Sequence, residues 1–454
     1  MKETLQNIFV IIRKAAVRSV SVVLLPVSII AWLIRLCLLA SRIRHADRIV
    51  LMTAPNSFAY TVLGPDVLRR MYPGEKCLFL VAVWRHEFNF DVPKLWTDID
   101  VVFVRRFMLS VPFRHRVISL PLLRQHDYCV HAASKFFCRI VSHRHCGMLS
   151  LPELHAEMHS RYKSEHMEGC GDWEWSYSAT IVGEMINLQN ASPAPAIHIP
   201  REDAGILDAV RNERWGNQNG IACPKLCCLY IREERRDAYS ARLRNGSPLE
   251  SHFGAVRLLN DAGYQVCLVG DYDPDQSMEG FHGGLIDHNT INVRKDAFQI
   301  YSATEADIFI GQNGGGASYQ HVNGTLSLYI NLYPFHFGLR NSWGYYKSLL
   351  DDNGDAVSAR DILEKYIFDD QVEYGTLLIN SEREIADAVS CFLKNISGDV
   401  NEDLVREYER LVPENTMFNL SGARISEAWI KNNSPAMASE ITRPPQEREK
   451  RARS

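Results

Sequence analysis

The chain has 454 residues, 46% of them hydrophobic and 23% charged, and its 50 basic and 54 acidic side chains leave a formal net charge of −4. That length suffices for two or three domains with full cores, and the charge balance gives no reason to expect nucleic acid as a main partner. The 11 cysteines are odd in number and scattered, with Cys227 and Cys228 adjacent in a strand-like run; this is poor spacing for a disulfide scaffold and suits a reducing compartment.

Residues 1–44 hold the most hydrophobic segment. Val20–Ile34 is uncharged, and LCLLA follows Arg35. A spanning helix needs about 20 apolar residues. This run is shorter, contains Pro26, and is flanked by Arg13, Lys14 and Arg18 on one side and Arg35, Arg42 and Arg44 on the other. Basic residues on both sides set no spanning orientation. The expectation is a membrane-associating helix that either spans the bilayer or lies in its interface with its arginines on anionic headgroups; the sequence does not separate the two. The alternative is a helix buried against the domain.

Residues 45–200 are expected to form a first Rossmann-like domain. Arg48–Met52, Lys76–Val83 and Ile99–Val104 are continuous apolar runs, as buried parallel strands require. The loop Trp84–Asp91 concentrates Arg85, His86, Glu87 and Asp91 at a strand end. In a two-domain enzyme it would face the interdomain cleft, with Glu87 or Asp91 first, and His86 next, as the general base. Histidines and cysteines are dense from His126 to Cys146 but lack zinc-finger spacing, and His155–His159 is not in HExxH order, so no metal site is expected. The Pro-rich Ala191–Pro200 and a polar helix at Asp203–Glu213 place a domain boundary near 195–222.

Residues 201–395 are expected to form a second Rossmann-like domain. Leu226–Ile231 is a strand ending at Arg232, and Pro248–Ala262 is a helix stopped by Gly263. Gln265–Val269 is the next strand, followed by Gly270-Asp271. Asp296–Ala306 is helical, Asp307–Ile310 is a strand, and the turn Gly311–Gly316 leads into a short helix at Ala317 or Ser318. Strands alternating with helices imply a parallel, doubly wound α/β sheet, whose ligands bind beyond the carboxyl ends of the strands. Glycines at such a turn admit a ligand close to the backbone, and the amides that open a helix favour an anion. The turn is neither a Walker loop nor an N-terminal GxGxxG. A guanidinium at Arg232 can hold a diphosphate bidentately. If both loops converge, a nucleoside diphosphate fits between them.

Thr325–Asn331 is a further buried strand, Pro334–Leu350 an aromatic-rich loop and helix, and Ser358–Ile367, Ser381–Ile396 and Asn401–Val412 are helices. Ser381 and Glu384 have the spacing of a capping box. Residues 396–433 are expected as C-terminal helices, and 434–454 as a disordered tail.

YIRE (Tyr230–Glu233), RNGS (Arg244–Ser247), DAGYQVCLVGD (Asp261–Asp271), ADIFIGQNGGGAS (Ala306–Ser318) and YINLYPF (Tyr329–Phe335) resemble a family of bacterial GT-B-type glycosyltransferases found with surface-polysaccharide genes. The resemblance covers roughly residues 220–395, and the amino-terminal half only by architecture. GT-B fucosyltransferases carry a comparable His-x-Arg signature; here Tyr230 stands two residues before Arg232. The resemblance implies two Rossmann-like domains facing a cleft. It further implies metal-independent transfer of a sugar from a nucleotide-sugar substrate, without a cofactor, to a glycan or lipid-linked acceptor. The place implied is the cytoplasmic face of a bacterial cell membrane. By carry-over, Arg232 contacts the donor diphosphate, Gly314, Gly315, Gly316 and Ser318 line the phosphate site, and Asn245 and Asp271 lie near the donor. A non-catalytic, membrane-associated nucleotide-sugar-binding protein is the alternative. An epimerase or dehydrogenase is disfavoured, because the first βα turn, TAPNSFAY, lacks a glycine pair.

Overall fold

The computed structural model describes residues 25–52, 59–83, 92–105, 109–113, 116–120, 124–141, 147–166, 177–191, 197, 225–232, 246–272, 284–335, 337–365, 376–412 and 416–434. The chain divides into two compact units, Met1–Arg161 and Tyr162–Ser454.

In the first unit residues 25–38 are helical (α1). Then come α2 (Ala40–His45), β1 (Arg48–Met52), α3 (Ala59–Met71), β2 (Cys77–Val83) and β3 (Asp100–Arg105). A hairpin of β4 (Leu109–Phe113) and β5 (Arg116–Leu120) precedes α4 (Arg124–Val141), β6 (Gly147–Ser150) and α5 (Leu151–His166), whose last residues, from Tyr162, are counted with the second unit. The main sheet is parallel, in the order β3-β2-β1-β6. Every residue of β2 is buried, which is why its sequence is continuously apolar rather than alternating. One face of this sheet, with Ile49, Leu51, Leu78, Leu80, Ala82 and Val104, packs against Trp32 and Leu36 of α1, Ile43 of α2, and Val130 and Cys138 of α4. The buried Trp32 indole N–H donates to Ser134 Oγ at 2.8 Å, which satisfies the polar end of an otherwise apolar anchor.

The second unit holds α6 (Tyr177–Ala191), β7 (Lys225–Arg232), α7 (Phe253–Asp261), β8 (Tyr264–Asp271), β9 (Leu285–Ile286), α8 (Lys295–Glu305), β10 (Ile308–Gly311), α9 (Ser318–Asn323) and β11 (Leu326–Leu332). It continues through β12 (Ser342–Tyr346), β13 (Ser348–Leu350), α10 (Ala359–Lys365), β14 (Thr376–Leu378), α11 (Glu382–Ile396), α12 (Glu402–Glu409), α13 (Met417–Ser421), β15 (Arg424–Ile425) and α14 (Glu427–Asn432). Seven parallel strands form its sheet in the order β15-β12-β11-β10-β7-β8-β9. Cys227 and Cys228 of β7 and Cys267 of β8 are fully buried free thiols, and Cys228 and Cys267 are paired in register.

Three placements differ from the sequence expectations. Residues 177–191 fold with the second unit: α6 packs on α13, and Arg340 Nη1 donates to the Gln189 carbonyl at 3.2 Å. Residues 396–433 are integral to that unit, since β15 pairs with the edge of the main sheet. Where a loop and helix were expected in Pro334–Leu350, the chain forms β12 and β13. Every residue of β12 is buried, and Trp343, Tyr345 and Tyr346 are aromatic residues that suit a packed strand. By contrast, the capping box at α11 forms as expected: Ser381 N donates to Glu384 Oε2 at 2.8 Å, and Glu384 N to Ser381 Oγ at 3.4 Å. The expected helix at Asp203–Glu213 and residues 435–454 lie outside the described residues.

Candidate nucleotide-sugar site

The chain builds β7, β8 and β9 outward in one direction, then returns to place β10, β11 and β12 on the other side of β7. The order therefore reverses between β7 and β10, and the connections leaving those two strands diverge. In open parallel sheets that divergence leaves a crevice beyond the carboxyl ends, where ligands bind. Arg232 ends β7, and Gly311–Gly316 follows β10; Tyr230 and Gly311 are paired in register.

Side chains two apart on a strand share a face, so Tyr230 and Arg232 project on the same side of β7. The turn after β10 folds over them. A Cβ added at Gly314 would lie 3.1 Å from Tyr230 Oη and 3.5 Å from Arg232 Nη1. The guanidinium thus stands beside the glycine turn, although 82 positions separate the two residues in the chain. Gly316 serves a different purpose: a Cβ there would come within 2.4 Å of Tyr230 Cε2, so its missing side chain is the space the ring fills. Gly311 likewise makes room for the Tyr230 backbone and Cβ, at 2.8 Å. The Tyr230 ring stacks on Phe309, with centroids 6.4 Å apart.

Gly314 and Gly315 are half-exposed, while Gly316 and Ser318 are buried. Gly315–Ala317 is a single 3-10 turn closed by Ala317 N to Gly314 O at 3.1 Å, and α9 after it has only six residues. The short helix begins at Ser318, as expected; so short a helix supplies little dipole, which leaves local backbone N–H groups and Arg232 as the groups here that could meet an anion. Asp271 ends β8 in register with Arg232; its side chain is not among those described. Asn245 and the whole of Trp84–Asp91, with His86, Glu87 and Asp91, lie outside the described residues.

Sequence reasoning missed the support beneath the turn. Gln312 is 3% exposed, and neither its Oε1 nor its Nε2 has a hydrogen-bond partner. Its amide lies so close over Gly246 that a Cβ there would fall within 2.1 Å of it. Next to Gly246, Ser247 Oγ donates to the Asn380 carbonyl at 2.5 Å and accepts from Asn331 Nδ2 at 3.0 Å. Asn331 sits in β11 at φ 51° where the register with β12 slips; asparagine tolerates this left-handed conformation better than most residues. No local sequence pattern marks Gly246 and Gln312 as a fitted pair; the fit shows only in the fold.

No family model matches the chain, and no curated protein matches it. Among solved structures it is similar to a glycosyl transferase of family 9 from Veillonella parvula DSM 2008, at 11% identity over 77% of this chain and 97% of that one, with a TM-score of 0.41. It is also similar to the E. coli ADP-heptose LPS heptosyltransferase II, at 9% identity over 77% and 99%, TM-score 0.37. A third similarity is to the UDP-GlcNAc 2-epimerase of Neisseria meningitidis, at 10% identity over 87% and 98%, TM-score 0.31. Likenesses this distant carry no functional argument. The fold is that of an α/β protein with two parallel sheets, the second carrying a cation and a glycine turn at its strand-order reversal.

Proposed function

We propose that the chain is a glycosyltransferase that moves a sugar from a nucleotide-sugar to a glycan or lipid-linked acceptor in surface-polysaccharide assembly. The observation that carries this reading is the meeting of Arg232 with Gly314 at the reversal of strand order. The motif resemblance in residues 220–395 supports it independently.

In this reading the donor diphosphate lies against the 314–316 turn with the Arg232 fork on its oxygens. The acceptor hydroxyl oxygen bonds to the anomeric carbon as the bond from that carbon to the phosphate oxygen breaks. The hydroxyl proton passes to a base in Trp84–Asp91, with Glu87 or Asp91 preferred over His86. The nucleoside diphosphate leaves with the bonding electrons, and Arg232 and the backbone amides offset the charge it gains. Such groups accelerate the step because they bind the separating diphosphate more tightly than the intact donor.

The test is release of nucleoside diphosphate from a panel of nucleotide-sugars by the full chain, with a lipid extract as acceptor source. Arg232→Ala is expected to lower turnover by about 100-fold or more, as loss of a single charge-stabilising group does. Undiminished turnover in that variant refutes the mechanism. Donor binding without any release, across the panel, favours the non-catalytic binding protein instead.

A further inference from the structure

The first unit exposes an apolar face made by two neighbouring helices. On α1, Val27, Ile30, Ile34 and Leu38 are exposed, Leu38 at 81%. Their spacing of three and four residues puts them on one stripe. The opposite stripe holds Ser28, Trp32 and Leu36, all buried. On α4, Phe136 and Ile140 are exposed, at 66% and 63%, while Val130, Ser134 and Cys138 point inward. The buried sides of both helices cover the same sheet face, and Trp32 is hydrogen-bonded to Ser134 between them. The two outward stripes therefore lie in one layer and face away from the sheet together. These six side chains account for most of the large apolar groups exposed among the described residues.

The charge around this face is one-sided. The chain as a whole is slightly acidic, yet residues 25–46 carry three arginines, Arg35, Arg42 and Arg44, and no acidic side chain. Arg44 of α2 and Arg139 of α4, the latter next to Ile140 in the chain, are exposed. Arg42 is paired with Asp100 at 2.8 Å but keeps 55% of its side chain in solvent. A coplanar apolar patch edged by guanidinium groups matches the interface of an anionic bilayer, where the apolar residues enter the acyl boundary and the cations meet the headgroups.

We propose that this face, formed by Val27, Ile30, Ile34 and Leu38 of α1 with Phe136 and Ile140 of α4, docks the first unit onto an anionic lipid surface. Residues 28–43 lie on the protein core and not across the bilayer: Trp32, Leu36 and Ile43 are fixed in the sheet packing. Among the described residues no helix is long and apolar enough to cross a membrane. The attachment is interfacial, and α4, far along the chain from α1, is part of it.

Flotation of the full chain with vesicles tests this. Vesicles of 70% phosphatidylcholine and 30% phosphatidylglycerol are expected to carry the protein at least about tenfold better than pure phosphatidylcholine, as several cations near an anionic surface produce. The double variant Ile34→Glu, Phe136→Glu is expected to lose at least about tenfold of that binding, with unchanged circular dichroism and melting, since both positions are solvent-facing. Arg44→Glu with Arg139→Glu is expected to erase the preference for anionic vesicles. Ile396→Glu, at an exposed apolar residue of the second unit, is expected to float like the parent. Parent-like flotation of the Ile34/Phe136 variant overturns the proposal. So does a parent protein that ignores vesicles and sediments as a dimer that this variant dissociates, which would assign the face to a second copy of the chain.

Discussion

Asn331 and Asn380 hold each other through reciprocal hydrogen bonds: Asn331 N donates to Asn380 Oδ1 at 2.5 Å, and Asn380 N donates to Asn331 Oδ1 at 2.6 Å. The pair ties the slip in β11 to the segment that opens α11, and Asn380 Nδ2 also reaches the Tyr346 carbonyl at 3.1 Å. All of these groups are buried, so breaking the pair strands backbone donors and acceptors away from water. Asn380→Ala is expected to destabilise the second unit by about 2–4 kcal/mol, read as a lower denaturation midpoint with unchanged slope.

The two glycines that meet Tyr230 are expected to respond differently. At Gly316 a methyl group collides with the ring at 2.4 Å, and overpacking of that kind costs roughly 1–3 kcal/mol. At Gly314 the nearest atom stands at 3.1 Å and the backbone is extended, so Gly314→Ala is expected to cost less than about 1 kcal/mol. Its added methyl nevertheless lies beside Arg232 Nη1. Donor affinity, measured by calorimetry, is expected to fall about tenfold or more in Gly314→Ala while its melting temperature stays near the parent's.

Gln312 makes a prediction of opposite sign. An amide buried without partners costs about 1–3 kcal/mol. Gln312→Leu keeps a similar volume and removes both orphan atoms. The ligand-free protein is expected to gain about 1 kcal/mol in urea unfolding. If the amide completes its hydrogen bonds with the donor, the same variant binds donor more weakly than the parent; equal affinity shows that the ligand does not reach it.

His252 sets an acid limit on stability. Burial pushes its imidazole down to about 4, and its Nδ1 contacts the Pro248 carbonyl at 2.9 Å, which requires the proton on Nδ1. In the unfolded chain a histidine titrates near about 6.5. Below that pH the unfolded state takes up a proton that the folded state refuses, so stability falls as pH drops from about 6.5 to about 4. The loss amounts to about 3 kcal/mol over that window. His252→Gln is expected to flatten this part of the curve in denaturation measured at several pH values.

Much of the second sheet was legible in advance because its strands are long, apolar and punctuated by glycine. Leu226–Ile231 and Thr325–Asn331 could be read from composition, and Arg232 and Gly311–Gly316 could be placed at strand ends. The strand at Ser342–Tyr346 could not: both of its sides are buried, so its sequence has no alternation to separate it from a helix or a packed loop. The separate purposes of Gly314 and Gly316 were equally hidden. Three consecutive glycines look alike in sequence, and only the position of the Tyr230 ring tells a glycine that leaves space beside a guanidinium from one that is filled. The Gln312–Gly246 fit and the Asn331–Asn380 pair depend on residues 66 and 49 positions apart, and no local pattern encodes such a match.

The three thiols at the centre of the second sheet have a consequence for handling the protein. Burial pushes the pKa of Cys227 and Cys228 well above the usual thiol range, so neither offers an oxidant or alkylating reagent the thiolate it needs. Iodoacetamide should reach them only when the strand that presents Arg232 leaves its sheet. Their labelling rate is therefore an internal clock for opening of the sheet that carries Arg232, with no added dye.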